Sequence, residues 1–245
     1  MDMPDNKKVA LIIGAGDGTG GAIAKKFAKE GYITCVTRRN IAKLDPLLQE
    51  IQQFGGIAHG FGSDARNEQE VIDLIETIEE SHGEIDVFVF NIGANVWSSI
   101  VDETSRKYYK IWEMACFSAF LSAREVAKKM LPRKKGTIIF TGATASIRGS
   151  AHFAAFSGAK HGLRALAQSM ARELWSQGIH VAHVIIDGAI DTDFIRENLP
   201  LVYARKEHDG ILNPEHIAEN YWFLHQQPRD AWTFELDLRP WSEQW

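Results

Sequence analysis

Short apolar runs alternate with longer amphipathic segments along most of the chain. Six of these runs have the length and the β-branched content of buried strands. They begin at Val9, Tyr32, Gly56, Ile85, Gly136 and Ile179. Because several of the runs are almost continuously apolar, they fit a parallel sheet that is covered by helices on both faces.

The segments between these runs repeat apolar residues at helical spacing. The segment from Glu68 illustrates it, with Val71, Ile75 and Ile78 on one side. Strands and helices in alternation predict βαβ crossovers, and therefore an α/β fold of the Rossmann type with a doubly wound parallel sheet. The spacing predicts the other helices over 22–30, 42–54, 107–131 and 154–175.

The pattern changes after Ile186. Residues 187–212 are polar and irregular, which is typical of a lid or a substrate loop. A helix that begins near Pro214 and a strand within WTFELDL then form a C-terminal tail over 213–245. The sequence shows no repeat or linker, so we expect a single domain over 1–245 with about seven strands.

Composition narrows the function classes. The chain has 245 residues, 45% of them hydrophobic, and a net charge of -5, which argues against a broad nucleic-acid surface. Cys35 and Cys116 stand in apolar surroundings and fit buried thiols in a reducing compartment. The N-terminal segment lacks a signal pattern, and its apolar run is too short to span a bilayer. We expect a cytoplasmic protein without a membrane, nucleic-acid or metal partner.

The segment KKVALIIGAGDGTGGAIAKKF has the order strand, glycine-rich turn, helix. Two glycine frames fit it, G-x-G-x-x-G from Gly16 and G-x-x-x-G-x-G from Gly14, and we prefer the second because Gly14 already ends the strand. Glycines let the backbone approach a pyrophosphate, and the helix N-terminus offers it unpaired N–H groups. The predicted dinucleotide contacts are Gly14, Asp17, Gly18, Thr19 and Gly20.

The end of the second strand indicates which dinucleotide is bound. In such sites an acidic residue there holds the ribose 2′-OH, whereas a nearby arginine accommodates a 2′-phosphate. This strand ends in Thr37, and Arg38 and Arg39 follow. Guanidinium groups suit phosphate, so we expect NADP(H), with NAD(H) as the disfavoured alternative. Asp17 argues the other way, because it places a negative charge near the phosphates.

Several motifs resemble those of the short-chain dehydrogenase/reductase family, in the family's order and over about residues 7 to 195. GAGDGTG resembles the family's glycine turn. Asp64 and Ala65, in SDA, resemble the family's contact with adenine. Asn91 and Gly93 match two positions of its Asn-Asn-Ala-Gly motif.

A later motif also resembles that family. Gly188 and Thr192 match its Pro-Gly-x-x-x-Thr segment, which holds the nicotinamide amide, although Asp187 takes the place of the proline. The resemblance implies a parallel sheet with three helices on each side. It also implies a homodimer or homotetramer and a small-molecule substrate.

The stretch FSGAK matches the family's Tyr-x-x-x-Lys motif at Lys160 but has Phe156 where the tyrosine stands. In the family the tyrosine is the general acid and the lysine binds the nicotinamide ribose. A serine hydrogen-bonds the substrate oxygen, and an asparagine holds a water molecule. In ungapped register the serine position falls on Ala143 and the asparagine position lies close to Cys116. Three of the four roles are therefore unfilled.

Other groups are candidates for the missing donor. A small shift in register brings the hydroxyl of Thr144 or Ser146 to the serine position, at the carboxyl end of the sheet where ligands bind. Further candidates are His152, His161, Asp187, Tyr203 and His208, although a purely structural role is favoured for all of them except Asp187.

Two functions of different class fit these observations. The favoured one is an NADP(H)-dependent oxidoreductase that transfers a hydride to or from a small carbonyl, alcohol or imine with a non-standard proton donor. An imine reduces the need for a donor, because it can arrive already protonated. The alternative is an inactive dinucleotide-binding protein that serves as sensor, scaffold or oligomer partner. A methyltransferase, a third possibility, gives Arg38, Arg39 and Lys160 no role.

Overall fold

The computed structural model describes residues 8–244, so residues 1–7 and 245 of the predicted domain lie outside it. Within that range seven strands form one sheet with the order β3-β2-β1-β4-β5-β6-β7, and every neighbouring pair is parallel. The predicted doubly wound α/β fold is confirmed. The strands are β1 Val9–Ile13, β2 Ile33–Arg38, β3 Ile57–Gly62, β4 Ile85–Phe90, β5 Gly136–Thr141, β6 Ile179–Ile186 and β7 Glu235–Leu238.

Helices cover both faces of the sheet. The helices are α1 Thr19–Lys29, α2 Asp45–Gln53, α3 Glu68–Ser81, α4 Ser105–Trp112, α5 Ser118–Met130, α6 Ala154–Leu174, α7 Asp193–Asn198, α8 Pro200–Tyr203 and α9 Pro214–Gln226. Buried residues of α3, α5 and α6 form a hydrophobic core on one face. Those of α1, α2 and α9 form a second core on the other face. This three-plus-three arrangement is the one that the family resemblance implies.

The strand order reverses between β1 and β4, and this reversal positions the site. In open α/β sheets a crevice for ligands opens at such a point, beyond the carboxyl ends of the strands. Ile13 is in register with Thr37 of β2 and with Phe90 of β4, so these three strands end at the same level. The loops that follow β1 and β4 are tied there, because the Asn91 backbone N–H donates to the Ile13 carbonyl at 2.9 Å.

Two segments differ from the sequence prediction. The helix predicted over 107–131 is present as a helical run over 105–130, but a π-helical turn, Glu113–Phe117, interrupts its α-helical hydrogen bonding between α4 and α5. The predicted loop over 187–212 contains α7, α8 and the 3₁₀ turn Ala204–His208. A bridge between Ile190 and Leu212 joins the two ends of that segment. The polar, irregular segment therefore forms short helices, and the bridge holds its two ends together.

Candidate functional site

The glycine turn after β1 is packed too closely for side chains at its centre. A Cβ atom on Gly20 would lie 2.5 Å from the Gly14 carbonyl oxygen and 2.8 Å from Nδ2 of Asn91. The Asn91 amide itself donates to that carbonyl at 3.1 Å. Gly14 adopts a φ of +88°, which favours glycine. The turn is therefore held against the end of β4.

Two cavities meet at this turn, and Gly14, Gly16, Asn91 and Gly93 line both of them. The larger, about 510 Å³, runs toward α6 and the end of β6, and we call it the α6 cavity. The smaller, about 260 Å³, runs toward the ends of β2 and β3, and we call it the β2 cavity. Together they form an elongated groove across the carboxyl edge of the sheet.

Lys160 lies inside the α6 cavity. Its side chain is buried, and Nζ donates to the carbonyl oxygens of Thr141 at 2.8 Å and Ile92 at 3.2 Å. An ammonium group has three N–H bonds, so one donor remains for a ligand. Burial lowers the pKa of Lys160 to about 8. Nζ also lies 6.0 Å from the centre of the Phe156 ring, which lines the same cavity.

The three positions that the family resemblance assigns to tyrosine, serine and asparagine lie together in an apolar cluster. Phe156 and Cys116 are buried in it, and Ala143 packs against it. Burial raises the pKa of the Cys116 thiol. The other buried members are Ala94, Ile111, Ala115, Ala145, Ala155 and Ala159. This cluster forms an apolar wall of the cavity beside Lys160.

Thr144 and Ser146, the predicted replacement hydroxyls, have other partners. The Thr144 hydroxyl lines the cavity but donates to Oδ1 of Asp187, so its proton is committed. Asp187 is 2% exposed and lies 3.3 Å from the guanidinium groups of both Arg148 and Arg239. The Ser146 hydroxyl is buried and accepts a hydrogen bond from the Ala143 backbone N–H at 3.1 Å. Ser146 lies outside the described cavity lining.

The remaining candidate donors also lie outside that lining, as far as residues 8–244 describe it. His152 stacks on Trp97 with ring centres 4.5 Å apart. His161 Nδ1 lies 2.9 Å from a backbone oxygen of its own helix. Tyr203 contacts Lys206 at 3.4 Å in the segment over 187–212, and the His208 carbonyl accepts from an indole N–H at 3.1 Å.

Tyr221 is a buried phenol near the site, yet it serves the core. Its hydroxyl lies 2.7 Å from the Thr141 hydroxyl, and burial raises its pKa. It belongs to the hydrophobic core of α1, α2 and α9, whereas Lys160 extends from α6 on the opposite face of the sheet. Tyr221 is thus separated from the α6 cavity, whose described lining residues include no tyrosine.

Sequence reasoning missed several polar groups of the α6 cavity. Asn95, Ser150 and Ser157 line it. The Ser157 hydroxyl and that of Thr19 are buried without a hydrogen-bond partner among the described residues. Because such a hydroxyl loses no bond by rotating, it is available to a polar ligand. The sequence did contain a signal for Ser157, because this residue directly follows Phe156.

Gly188 and Thr192 close the α6 cavity from the β6 side. Both line it, and a Cβ atom on Gly18 would lie 2.8 Å from Cγ2 of Thr192. A Cβ atom on Gly188, whose φ is +148°, would lie 2.8 Å from Pro240. Thr192 therefore packs across the glycine turn.

The β2 cavity brings together the residues predicted for the adenosine end. Arg38, Arg39, Asp64 and Ala65 line it, together with Arg66, which sequence reasoning missed. The Arg66 guanidinium binds Asp64, with Nε to Oδ1 at 2.8 Å, and this hydrogen bond lowers the pKa of the Asp64 carboxyl. Asp17 lies outside the described lining but contacts it through Arg38.

Comparison with known proteins identifies the family. A sequence model described as short chain dehydrogenase matches residues 8–200. A crystal structure of a short-chain dehydrogenase from Rhodopseudomonas palustris is 46% identical, with a TM-score of 0.81 over 97% of this chain and 100% of that one. The 3-oxoacyl-[acyl-carrier-protein] reductase of Synechocystis sp. is 30% identical over 94% of this chain and 95% of its own length. The chain belongs to the short-chain dehydrogenase family of oxidoreductases.

Solved relatives contain a nicotinamide nucleotide. A metagenomic short-chain oxidoreductase in complex with NADP is 26% identical, with a TM-score of 0.82 over 96% of this chain and 98% of that one. Over residues 8–244, moreover, this chain has no helix whose length and apolar character would let it cross a membrane.

Proposed function

We propose that the chain is an NADP(H)-binding oxidoreductase that transfers a hydride to or from a small carbonyl compound or alcohol, without the tyrosine donor of its family. One observation carries this proposal. The buried ammonium group of Lys160 lies beside the Phe156 ring, in a cavity that begins at the glycine turn. This arrangement supports a dinucleotide site in which a phenylalanine takes the place of the family's tyrosine.

The residues present fit an NADP(H) molecule. The groove has two cavities that meet at a glycine turn, where Gly16 leaves open space beside both cavities, which suits a pyrophosphate with a nucleoside on each side. Lys160 has one N–H left for ribose hydroxyls, and the Thr19 hydroxyl lacks a partner among the described residues. Arg38 and Arg39 line the other cavity and supply donors for a 2′-phosphate. When bound, the cofactor supplies or accepts a hydride at its nicotinamide ring.

Charge in the α6 cavity favours a carbonyl or alcohol over an imine. Among its described lining residues Lys160 is the only one with an ionisable side chain. An ammonium group stabilises the negative charge that develops on a carbonyl oxygen during hydride transfer. The same group repels an iminium cation. We therefore assign the site to neutral carbonyl compounds or alcohols.

The alternative function, an inactive dinucleotide-binding protein, also has an observation in its favour. Phe156, Ala143 and Cys116 lie in one apolar cluster, so no hydroxyl or amide acts from these positions. General acid catalysis contributes about 10²–10⁴-fold to a rate. Turnover of NADPH by the native protein with any member of a carbonyl panel would distinguish the oxidoreductase from this alternative.

The test restores the missing groups. Calorimetric titration should first show that the native protein binds NADPH more tightly than NADH. The variant Ala143→Ser/Phe156→Tyr should then oxidise NADPH with simple ketones about 10²–10⁴-fold faster than the native protein. Phe153→Tyr is the matched control, because it adds the same hydroxyl to another ring that lines the cavity. Efficient ketone reduction by the native protein, with no gain in the double variant, would contradict the claim that the site lacks the family's proton donor. Failure of the native protein to bind NADPH would contradict the proposal as a whole.

Three further proposals concern the whole molecule. We propose that residues 187–212 act as a lid over the substrate and that the protein is cytoplasmic. We also propose a homodimer or homotetramer, and exposed Tyr109, Trp112 and Phe120 on α4 and α5 support such a contact. Multi-angle light scattering of the full chain would reveal its mass, and a monomer at micromolar concentration would contradict the oligomer.

A further inference from the structure

The hydroxyl group of Thr144 is fixed in one orientation by the buried Asp187. Thr144 begins a 3₁₀ turn after β5 and lines the α6 cavity, and Asp187 directly follows β6. Oγ1 of Thr144 donates to Oδ1 of Asp187, which is 2% exposed. A hydroxyl has one hydrogen and two lone pairs. Because its hydrogen is bound to the carboxylate, Thr144 can only accept a hydrogen bond from a group in the cavity.

The carboxylate that fixes this hydroxyl is itself held on its other side. Oδ2 of Asp187 lies 3.3 Å from Nη2 of Arg148 and 3.3 Å from Nη1 of Arg239. Nη2 of Arg148 also lies 3.5 Å from Oδ1. The Asp187 backbone N–H donates to the Leu238 carbonyl oxygen at 2.8 Å, which ties the residue to β7. Rotation of the Thr144 hydroxyl would remove a donor from a buried carboxylate, and such a loss is costly.

A fixed acceptor distinguishes an alcohol from the matching carbonyl compound. The alcohol has an O–H group that can donate to Thr144, whereas the carbonyl oxygen has only lone pairs and forms no hydrogen bond there. One such hydrogen bond changes an affinity by about 3- to 10-fold. The Ser157 hydroxyl in the same cavity does not discriminate, because it lacks a partner among the described residues and can rotate either to donate or to accept.

We propose that Thr144 is a specificity-determining residue, which accepts a hydrogen bond from the substrate and makes the α6 cavity select an alcohol over the matching carbonyl compound. Asp187 is the positioning residue that holds Thr144 in this state. The inference rests on the proposed function, which includes both members of such a pair, and it assigns alcohols as the preferred ligand class. The alcohol then binds more tightly than the carbonyl compound into which its oxidation converts it.

Two substitutions should change this selection in different ways. Thr144→Val removes the acceptor, so we expect alcohols to bind about 3- to 10-fold more weakly and carbonyl compounds to change less than about twofold. In Asp187→Asn the amide oxygen should stay at the two guanidinium groups, because these groups only donate, and the NH₂ group should then donate to Thr144. The threonine hydroxyl must turn its hydrogen into the cavity, and carbonyl compounds should bind about 3- to 10-fold more tightly.

The experiment is a ligand-observed NMR titration of two matched pairs, cyclohexanol with cyclohexanone and benzyl alcohol with benzaldehyde. The alcohols are titrated in the presence of NADPH and the carbonyl compounds in the presence of NADP⁺, so that neither class can react. The native protein is compared with Thr144→Val, with Asp187→Asn and with Thr144→Ser, which keeps the hydroxyl and should keep the selection. Thr77→Val is the control, because it makes the same change on an exposed residue of α3 outside the cavity.

Tighter binding of the alcohols to the native protein, lost in Thr144→Val by the alcohols alone, supports the inference. Carbonyl binding to the native protein that is equal or tighter overturns it. An equal loss for both classes in Thr144→Val also overturns it, since a merely structural role would cause that result. A folded Asp187→Asn variant with native selection overturns the role of Asp187. If no probe binds to a protein that binds NADPH, the inference fails alone, whereas a native protein that does not bind NADPH refutes the proposed function as well.

Discussion

The substitution Gly16→Ala should weaken cofactor binding without destabilising the fold. Gly16 lines both cavities, and a Cβ atom there would have a single neighbour within 4 Å, the Arg38 Nη2 atom at 3.9 Å. Its φ lies outside the range that alanine avoids. The methyl group would therefore enter open space in the free protein, and that space is where we expect the pyrophosphate.

The magnitudes follow from this geometry. An added methyl group in a close-fitting contact costs about 1–3 kcal/mol, which corresponds to about 5- to 150-fold weaker NADPH binding. A glycine-to-alanine change at a compatible backbone position stabilises the folded chain by about 0.4–1 kcal/mol, because it restricts the unfolded state. Gly16→Ala should thus bind NADPH more weakly, while the free protein unfolds at an equal or slightly higher temperature.

The assay combines calorimetric titration of NADPH with thermal unfolding of the free protein. Gly149→Ala serves as a control, because a Cβ atom there meets nothing within 4 Å and Gly149 does not line either cavity. Gly20→Ala should instead destabilise the fold, since its Cβ atom would lie 2.5 Å from the Gly14 carbonyl oxygen. Native NADPH affinity in Gly16→Ala would refute the placement of the pyrophosphate at this turn.

Three other predictions concern ionisable side chains, two of them about buried groups that affect stability and one about the cofactor site. Burial lowers the pKa values of His183 and His225 from 6.5 to about 4, so between these pH values only the unfolded chain takes up the two protons. The free energy of unfolding should therefore be highest above pH 6.5 and fall toward pH 4, by at most about 1.4 kcal/mol per pH unit for each histidine. Urea midpoints that stay constant over this range would contradict the prediction. Asp187→Asn removes the buried carboxylate that faces both Arg148 and Arg239. It should lower the free energy of unfolding in urea, by less than the roughly 3 kcal/mol of a fully buried pair because the Arg148 side chain is 38% exposed, and native stability would contradict the ion-pair assignment. Lys160→Met should weaken NADPH binding by about tenfold or more with an unchanged circular dichroism spectrum, and native affinity would exclude Lys160 from the cofactor site.

Strands β1, β2, β4, β5 and β6 were predictable because each is a short run of consecutive residues that are buried almost throughout, whereas the edge strands β3 and β7 are only partly buried. Six of the seven begin within a residue of the predicted position, and β7 is shorter than WTFELDL because only Glu235–Leu238 pairs with β6. The π-helical turn Glu113–Phe117 could not be predicted, since a one-residue slip in backbone hydrogen bonding barely changes the apolar spacing.

The candidate site was predictable where its residues are neighbours in sequence. The glycine turn and the pair Phe156 and Lys160 are local patterns, and the structure brings them into one cavity. The partners of the hydroxyls were not predictable in this way. Thr144 donates to Asp187, 43 residues later, and Arg38 binds Asp17, 21 residues earlier. Such pairs depend on which strands become neighbours, and single-residue patterns do not carry that information.

A crystal structure of the chain with NADP⁺ tests the central claim most directly. We expect C4 of the nicotinamide to face the Phe156 ring, with the Lys160 ammonium group at the ribose hydroxyls and the 2′-phosphate at Arg38 and Arg39. A phenol or carboxyl group of some other residue aimed at C4, or a Phe156 ring rotated out of the cavity, would contradict the account.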